Sequence, residues 1–129
     1  MSVLVVDASA AFAAAVAPSG FDRFAGDDPV APPLLWPEVR SALHEAASRG
    51  EISADAALAS LHAIESGPIR QRTDARLGRR AWEIADRLGW MKTYDAEYLA
   101  LAQLLGCRIL TLDGGIRDAA RRLTIAVVS

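Results

Sequence analysis

A run of four aliphatic residues at positions 3–6, Val-Leu-Val-Val, leads directly into Asp7. A short, continuous and largely β-branched run is typical of a strand that is buried on both faces, as in a parallel sheet. Residues 109–112, Ile-Leu-Thr-Leu, repeat this arrangement and lead into Asp113. Two such strands favour folds in which helices cover both faces of a sheet.

Segments with helical spacing of apolar residues separate the predicted strands. The predicted strands cover residues 3–6, 30–31, 69–71, 109–112 and 125–128. Apolar residues at i, i+3, i+4 and i+7 predict helices over residues 9–17, 34–49, 54–66, 74–88, 94–105 and 116–123. This alternation predicts an α/β fold: a single doubly wound, mainly parallel sheet flanked by helices, in one domain over residues 1–129.

Short polar residues before the helical segments are the predicted N-caps, because their side-chain oxygens accept hydrogen bonds from free backbone N–H groups. Ser9, Ser53 and Thr93 are in such positions, as is Thr73 or Asp74. Gly-Asp-Asp-Pro at residues 26–29 predicts a turn before a very short second strand.

Cysteine content and charge limit the possible functions. Cys107 is the only cysteine, which excludes an intramolecular disulfide and a cysteine-cluster metal site. No apolar stretch is long enough for a bilayer and the N-terminus lacks signal-peptide features, so we expect a cytoplasmic protein without membrane contact. Residues 1–65 carry 9 acids and 3 bases, and residues 66–129 carry 7 acids and 11 bases. The basic second half is either a set of solvated helix faces or a surface suited to phosphate.

Four acidic residues are predicted to converge at one edge of the sheet. Asp7 and Asp113 each follow a strand, and the carboxyl ends of parallel strands border the ligand crevice of α/β proteins. Asp95 lies where the buried face of its helix begins, and Glu38 lies in a first helical turn. Each acid also has a structural alternative, as an N-cap or as a carboxylate stabilised by the helix dipole.

A cluster of four carboxylates needs a neutralising cation, because nearby carboxylates raise one another's pKa. Mg²⁺ is held by carboxylates, waters and substrate phosphate, without histidine or cysteine. His44 and His62 are predicted on helix surfaces, so a zinc site is not expected. The four acids therefore predict a site for a hard divalent cation.

Four segments spread along the chain resemble those of PIN domains. They are Val-Val-Asp-Ala-Ser at 5–9, Pro-Glu-Val at 37–39, Tyr-Asp-Ala-Glu-Tyr-Leu-Ala-Leu-Ala at 94–102 and Thr-Leu-Asp at 111–113. In size and motif order the chain is similar to VapC-type toxin ribonucleases. The resemblance implies Mg²⁺- or Mn²⁺-dependent cleavage of RNA, with a metal site at Asp7, Glu38, Asp95 and Asp113. It also implies a small cognate antitoxin, and a homodimer or a larger assembly with that antitoxin.

The predicted reaction is hydrolysis of an RNA phosphodiester bond to a 5′-phosphate and a 3′-hydroxyl, assisted by one or two metal ions. Asp7 and Asp95 are the predicted direct ligands, and Asp113 completes the cluster. Glu38 is predicted to bind through water or to orient the attacking water. The hydroxyls of Ser9 and Thr111 are predicted to support these ligands.

Binding of RNA beside an acidic centre requires basic residues around it, since carboxylates repel phosphate. Arg76, Arg80 and Arg117 are the candidates from the basic second half. Trp36 and Tyr98 are candidates for base stacking, and packing is the alternative for each.

Two other functions are compatible with a carboxylate after the first strand. A Mg²⁺-dependent phosphatase of the haloacid-dehalogenase type needs a second aspartate two residues later, where this chain has Ser9. A non-catalytic RNA-binding or assembly module of the same fold would use the four acids only as helix caps. A metal-dependent rise in melting temperature would distinguish a metal site from such a module.

Overall fold

The computed structural model describes residues 2–128, and within that range five strands form one sheet. The strands are β1 (Ser2–Val6), β2 (Asp27–Ala31), β3 (Arg70–Gln71), β4 (Arg108–Leu110) and β5 (Val127–Val128). Their order is β3-β2-β1-β4-β5, and every neighbouring pair is parallel. The predicted α/β fold with a parallel sheet is confirmed. The ends of the predicted domain, Met1 and Ser129, lie outside the described residues.

β1 lies at the centre of the sheet because its residues can be buried on every side. Val5 pairs with Val30 on one side and with Ile109 on the other. None of these three side chains is exposed to solvent. A strand with neighbours on both edges and helices on both faces has to be apolar, as residues 3–6 are.

Six α-helices within the described range cover the two faces of the sheet. They are α1 (Ala8–Val16), α2 (Leu35–Ser48), α3 (Ala54–Glu65), α4 (Leu77–Leu88), α5 (Tyr94–Leu105) and α6 (Gly114–Arg122). The chain runs outward from β1 to β3 and then back to β4 and β5 on the other side of β1. The right-handed rule for parallel connections places the helices of these two halves on opposite faces of the sheet. Accordingly α1 packs against α2 and α3, whereas α5 packs against α4 and α6.

The second strand is longer than predicted. β2 begins at Asp27, inside the turn predicted at residues 26–29. Pro29 lies within it and pairs with Leu4 of β1. A proline is tolerated here because β3 pairs only with Val30 and Ala31, so no strand on that side needs an N–H from Pro29.

The last two strands are shorter than predicted. β4 ends at Leu110, because its partner Val6 is the last residue of β1. β5 starts only at Val127, because the N–H of Ile125 donates to the carbonyl of Ala120 in α6 at 2.8 Å. Thr111 and Leu112 therefore form a connection between β4 and α6 rather than part of a strand.

The predicted cap of α3 is confirmed and that of α1 is wrong. Ser53 Oγ accepts a hydrogen bond from the Ala56 N–H at 3.0 Å. Asp7, instead of Ser9, caps α1 by accepting from the Ala10 N–H at 3.0 Å. Asp7 takes this role because it is the residue directly between β1 and α1.

The start of α4 lies later than predicted, and α5 lacks its predicted side-chain cap. Asp74 Oδ1 accepts from the N–H of Arg76 at 2.8 Å, a local turn that delays the helix until Leu77. Thr93 is at the N-cap position of α5, but its side chain makes no capping hydrogen bond. Among the described helices, none is long and apolar enough to cross a membrane.

Gly20→Ala is expected to destabilise the protein by more than about 2 kcal/mol. A Cβ atom at Gly20 would lie 2.1 Å from the backbone oxygen of Ala14, so α1 and the following turn would have to separate. Gly78→Ala is the matched control, because its Cβ meets no atom within 4 Å. Alanine at that position in α4 should raise stability by up to about 1 kcal/mol. Urea unfolding of both variants measures the difference, and equal effects would contradict the close contact at Gly20.

Candidate active site

Asp7 is the first residue after β1, and only 1% of it is exposed. Its carboxylate accepts hydrogen bonds from Ser9 Oγ at 2.7 Å, from the Ala10 N–H at 3.0 Å and from the Thr111 hydroxyl. Burial raises the pKa of Asp7, the three donors lower it, and the charge of Asp113 raises it. Both hydroxyls that were predicted to support the metal ligands thus contact Asp7.

Asp113 does not directly follow its strand as predicted, because β4 ends at Leu110 and Asp113 lies two residues beyond the position that matches Asp7. The register pairs Val6 with Leu110, which places Thr111 opposite Asp7. Thr111 Oγ1 donates to Asp7 and accepts from the Asp113 N–H at 3.0 Å. One hydroxyl therefore connects the two aspartates, and the exposed Asp113 carboxylate caps α6.

Glu38 lies in the first turn of α2 and is held by a tyrosine of α5. The buried Tyr98 hydroxyl donates to Glu38 Oε1 at 2.5 Å. Burial raises the pKa of Glu38, the Tyr98 hydrogen bond lowers it, and the charges of Asp95 and Asp7 raise it. Burial and the hydrogen bond to Glu38 raise the pKa of Tyr98, so its phenol stays protonated and remains a donor at neutral pH.

Asp95 lies in the first turn of α5 and faces solvent on one side. Partial burial raises the pKa of its carboxyl group, and the charges of Asp113 and Asp7 raise it further. Its carboxylate accepts no hydrogen bond from any other described residue. Asp95 is thus oriented by its helix alone.

Four carboxylates are called the acidic centre below: Asp7, Glu38, Asp95 and Asp113. The charge of Asp113 raises the pKa values of Asp7 and Asp95, and the charges of Asp7 and Asp95 raise that of Glu38. Within residues 2–128, the ion pairs of arginine all involve other acids, so none of these four is neutralised by a basic side chain. Glu97 of α5 adjoins the centre, since burial and the charge of Glu38 raise its pKa. The fold therefore concentrates negative charge at one edge of the sheet.

The chemistry of the acidic centre fits a hard divalent cation. Its donors are carboxylate oxygens, and their mutual repulsion is what such a cation relieves. Over residues 2–128, no three acidic, histidine or cysteine side chains already surround one point at metal-binding distance. Binding by three carboxylates therefore requires side-chain movement, and Asp95 can move without breaking a hydrogen bond to the described protein.

Only one of the three predicted RNA-binding arginines contacts a residue of this region. Arg117 donates to the backbone carbonyl of Thr111 at 3.4 Å. Arg76 is paired with Asp74. Arg80 donates to Gln103 at 3.2 Å, eight residues and about 12 Å along α5 from Asp95.

The two aromatic residues predicted as stacking candidates are both engaged within the protein. Tyr98 is fully buried and holds Glu38. Trp36 is partly buried, and its Nε1–H donates to Gln71 at 2.9 Å. The packing alternative describes Tyr98 correctly, and its hydrogen bond also gives it a place in the site.

Sequence reasoning missed two neighbours of the acidic centre. Glu97 and the exposed Tyr94 both lie on the first turn of α5, beside Asp95. Helical spacing contained a signal, because Tyr94 and Glu97 are three residues apart and share a face. The apolar spacing of α5 indicates Tyr98 instead, because Tyr98 lies on the buried face of the helix.

Residues 4–122 match the family described as PIN domain. The chain belongs to the PIN domain family. VapC ribonuclease Mb0985 of Mycobacterium bovis and Ribonuclease VapC9 of Mycobacterium tuberculosis are each 30% identical to this PIN domain over 120 residues, 92% of either chain. The crystal structure of PAE2754 from Pyrobaculum aerophilum matches it with a TM-score of 0.72 and 26% identity, over 92% of this chain and 87% of that chain. The resemblance that the four sequence segments indicate is confirmed.

Asp95→Asn is expected to stabilise the metal-free PIN domain at pH 7. The pKa of Asp95 is higher in the folded protein than its ordinary value of 3.8, so the folded state holds this proton more tightly than the unfolded chain does. Ionisation of Asp95 therefore lowers the stability of the fold as the pH rises above 3.8. Solvent screening keeps the gain small, about 1–3 °C in Tm at pH 7 and near zero at pH 3.5.

Thermal unfolding in EDTA at the two pH values measures this effect. Asp86→Asn is the control, because Asp86 is exposed on α4 and lies outside the acidic centre. Its Tm should differ from that of the wild type by the same small amount at both pH values. A lower Tm for Asp95→Asn at pH 7 would contradict the proposed repulsion.

Proposed function

We propose that this PIN domain is a metal-dependent endoribonuclease and acts as the toxin of a toxin–antitoxin pair. The observation that carries the proposal is the acidic centre, in which neighbouring carboxylates raise the pKa values of Asp7, Glu38 and Asp95 and no arginine among the described residues pairs with any of the four acids. Relatives with 30% identity over 92% of the chain are named ribonucleases, which supports RNA as the substrate. A toxin role follows from the VapC name of the same relatives.

The four carboxylates divide between metal binding and positioning of water in the proposed site. Asp7 and Asp95 would bind Mg²⁺ or Mn²⁺ directly, and Asp113 would complete the set. A bound divalent ion supplies polarisation of the scissile phosphate and a water of lowered pKa. Glu38 orients the attacking water through one oxygen while Tyr98 holds the other. The reaction leaves a 5′-phosphate and a 3′-hydroxyl.

Hydrogen bonds from two hydroxyls orient Asp7 and partly offset the rise that burial causes in its pKa. Ser9 and Thr111 both donate to it, and such donors favour the charged carboxylate. Arg117 contacts the Thr111 carbonyl and is therefore the first candidate among the three arginines to meet the RNA backbone. Arg76 and Arg80 would act at a greater distance, through the general field of the basic surface.

The remaining parts of the proposal concern partners and location. A small antitoxin would bind this toxin and block the acidic centre. The toxin would form a homodimer, or a larger assembly with the antitoxin, in the cytoplasm. A single domain over residues 1–129 is part of the same proposal.

Purified protein is expected to cleave single-stranded RNA in Mg²⁺ or Mn²⁺ and to lose this activity in EDTA. Asp7→Asn and Asp95→Asn should each reduce the rate by at least about 100-fold, because each removes a charged metal ligand. Asp118→Asn is the control, since this exposed carboxylate of α6 lies five residues beyond Asp113. Sequencing of 5′-phosphorylated ends, in cells that express wild type or Asp7→Asn, identifies the cleaved RNA.

The competing function is a non-catalytic module, and one observation favours it. Asp7 and Asp113 both cap helices, which is a structural reason for their presence. If the wild type binds RNA but does not cleave it, and its Tm does not rise in Mg²⁺ or Mn²⁺, the protein is a non-catalytic RNA-binding module and not an enzyme.

Tyr98→Phe is expected to lower the rate by about fivefold and to move the acid limb of the pH–rate profile to higher pH. The Tyr98 hydroxyl lowers the pKa of Glu38, so its removal raises that pKa and leaves Glu38 protonated at a higher pH. Initial rates from pH 5 to pH 9 at saturating Mg²⁺ measure the shift. An unchanged acid limb with a reduced rate would mean that Tyr98 only packs α5.

A further inference from the structure

A recess of about 540 Å³ adjoins the acidic centre between α2 and the start of α5. Its lining includes the acids Glu38 and Asp95, and also Gly89, Trp90, Met91, Lys92 and Tyr94. It is called the Tyr94 recess here. Trp90 is partly buried against the core, so the recess has a fixed apolar wall. A volume above about 300 Å³ is in the range that accommodates a small organic ligand.

Tyr94 is an aromatic side chain with a ring face available beside the acidic centre. Its exposed fraction is 55%, whereas the other tyrosine, Tyr98, is fully buried. Tyr94 also lines a second recess, of about 390 Å³, which again includes Glu38. Tyr94 and Glu38 therefore line both recesses.

The two recesses differ in charge, because only one of them is lined by a basic residue. The second recess contains Glu45 together with Glu38 and has no basic residue. The Tyr94 recess contains Lys92, the only lysine of the sequence. Lys92 is exposed and forms no ion pair with any described acid, although Glu38 and Asp95 line the same recess. A phosphate group would therefore be favoured on the Lys92 side.

We infer that the Tyr94 recess binds one nucleotide of single-stranded RNA next to the scissile phosphate. Its base stacks on the Tyr94 ring, and Lys92 contacts a phosphate oxygen of the RNA backbone. Aromatic stacking accepts any base, and a single cation offsets part of the repulsion between RNA and the acidic centre. This inference rests on the proposed ribonuclease function and adds a substrate-binding element to it.

The test measures RNA affinity and its salt dependence in protein that carries Asp7→Asn, so that the RNA stays intact. The probe is a fluorescein-labelled single-stranded oligouridylate of 12 nucleotides, followed by fluorescence anisotropy in Mg²⁺. Tyr94→Leu should weaken binding about tenfold without changing the salt slope, and Tyr94→Phe should restore the affinity. Lys92→Gln should reduce the slope of log Kd against log salt by about 0.7.

A matched control and a matched ligand separate stacking from general damage. Trp82→Leu removes another exposed ring, 63% exposed on α4 and outside both recesses, and should leave the affinity unchanged. The Asp7→Asn protein that keeps Tyr94 should bind an abasic 12-mer more weakly than oligouridylate. Tyr94→Leu should reduce the ratio of these two dissociation constants by about tenfold, because it removes the contact that the base makes.

The outcomes distinguish this inference from the proposed function. If wild type cleaves RNA but Tyr94→Leu binds as tightly as its parent, or Lys92→Gln keeps the full salt slope, the inference fails alone. If wild type cleaves no RNA but the variants behave as expected, the nuclease fails and the nucleotide site stands as part of a binding module. If the parent binds no oligouridylate, the inference is overturned. Thermal unfolding of each variant checks that it is folded.

Discussion

The buried carboxylate of Asp7 is the interaction on which the rest of the site depends. Asp7 directly follows the central strand and caps α1. It also accepts a hydrogen bond from the Thr111 hydroxyl in the segment after β4. Thr111 in turn accepts the Asp113 N–H, so the start of α6 is fixed relative to β1. An unpaired charge at this depth would be very costly, and the three donors are what make a buried aspartate tolerable.

The acidic centre opposes the stability of the fold that carries it. Glu38 and Asp95 lie in the first turns of α2 and α5. The charge of Asp95 raises the pKa of Glu38, and the charge of Glu38 raises that of Glu97. Tyr98 partly compensates by donating to Glu38. Groups held in unfavourable electrostatic surroundings are common where a ligand or metal supplies the missing charge. The destabilisation is therefore consistent with a site that is completed by a cation.

The recess beside Tyr94 shows how the same helix start serves two purposes. Asp95 faces the acidic centre, while Tyr94 and Lys92 border the adjoining recess. Buried Tyr98, one turn further along α5, supports Glu38 from inside. The first turns of α5 thus bring together an acid of the centre, an exposed aromatic ring and a buried tyrosine that holds Glu38, because residues three and four apart lie close together on a helix.

The sequence by itself determined the fold class, since apolar runs of strand length alternate with helical stripes and imply a parallel sheet. It also determined that Asp7 directly follows a strand and that Glu38 and Asp95 lie in first helical turns, because these positions are local properties of the chain. Only the tertiary structure decided that Thr111, and not Asp113, lies opposite Asp7, because register depends on pairing between β1 and β4. It also decided that Tyr98 is buried on Glu38 while Tyr94 is exposed. Those contacts join residues 60 to 104 positions apart, and no local pattern encodes which side chains meet across such distances.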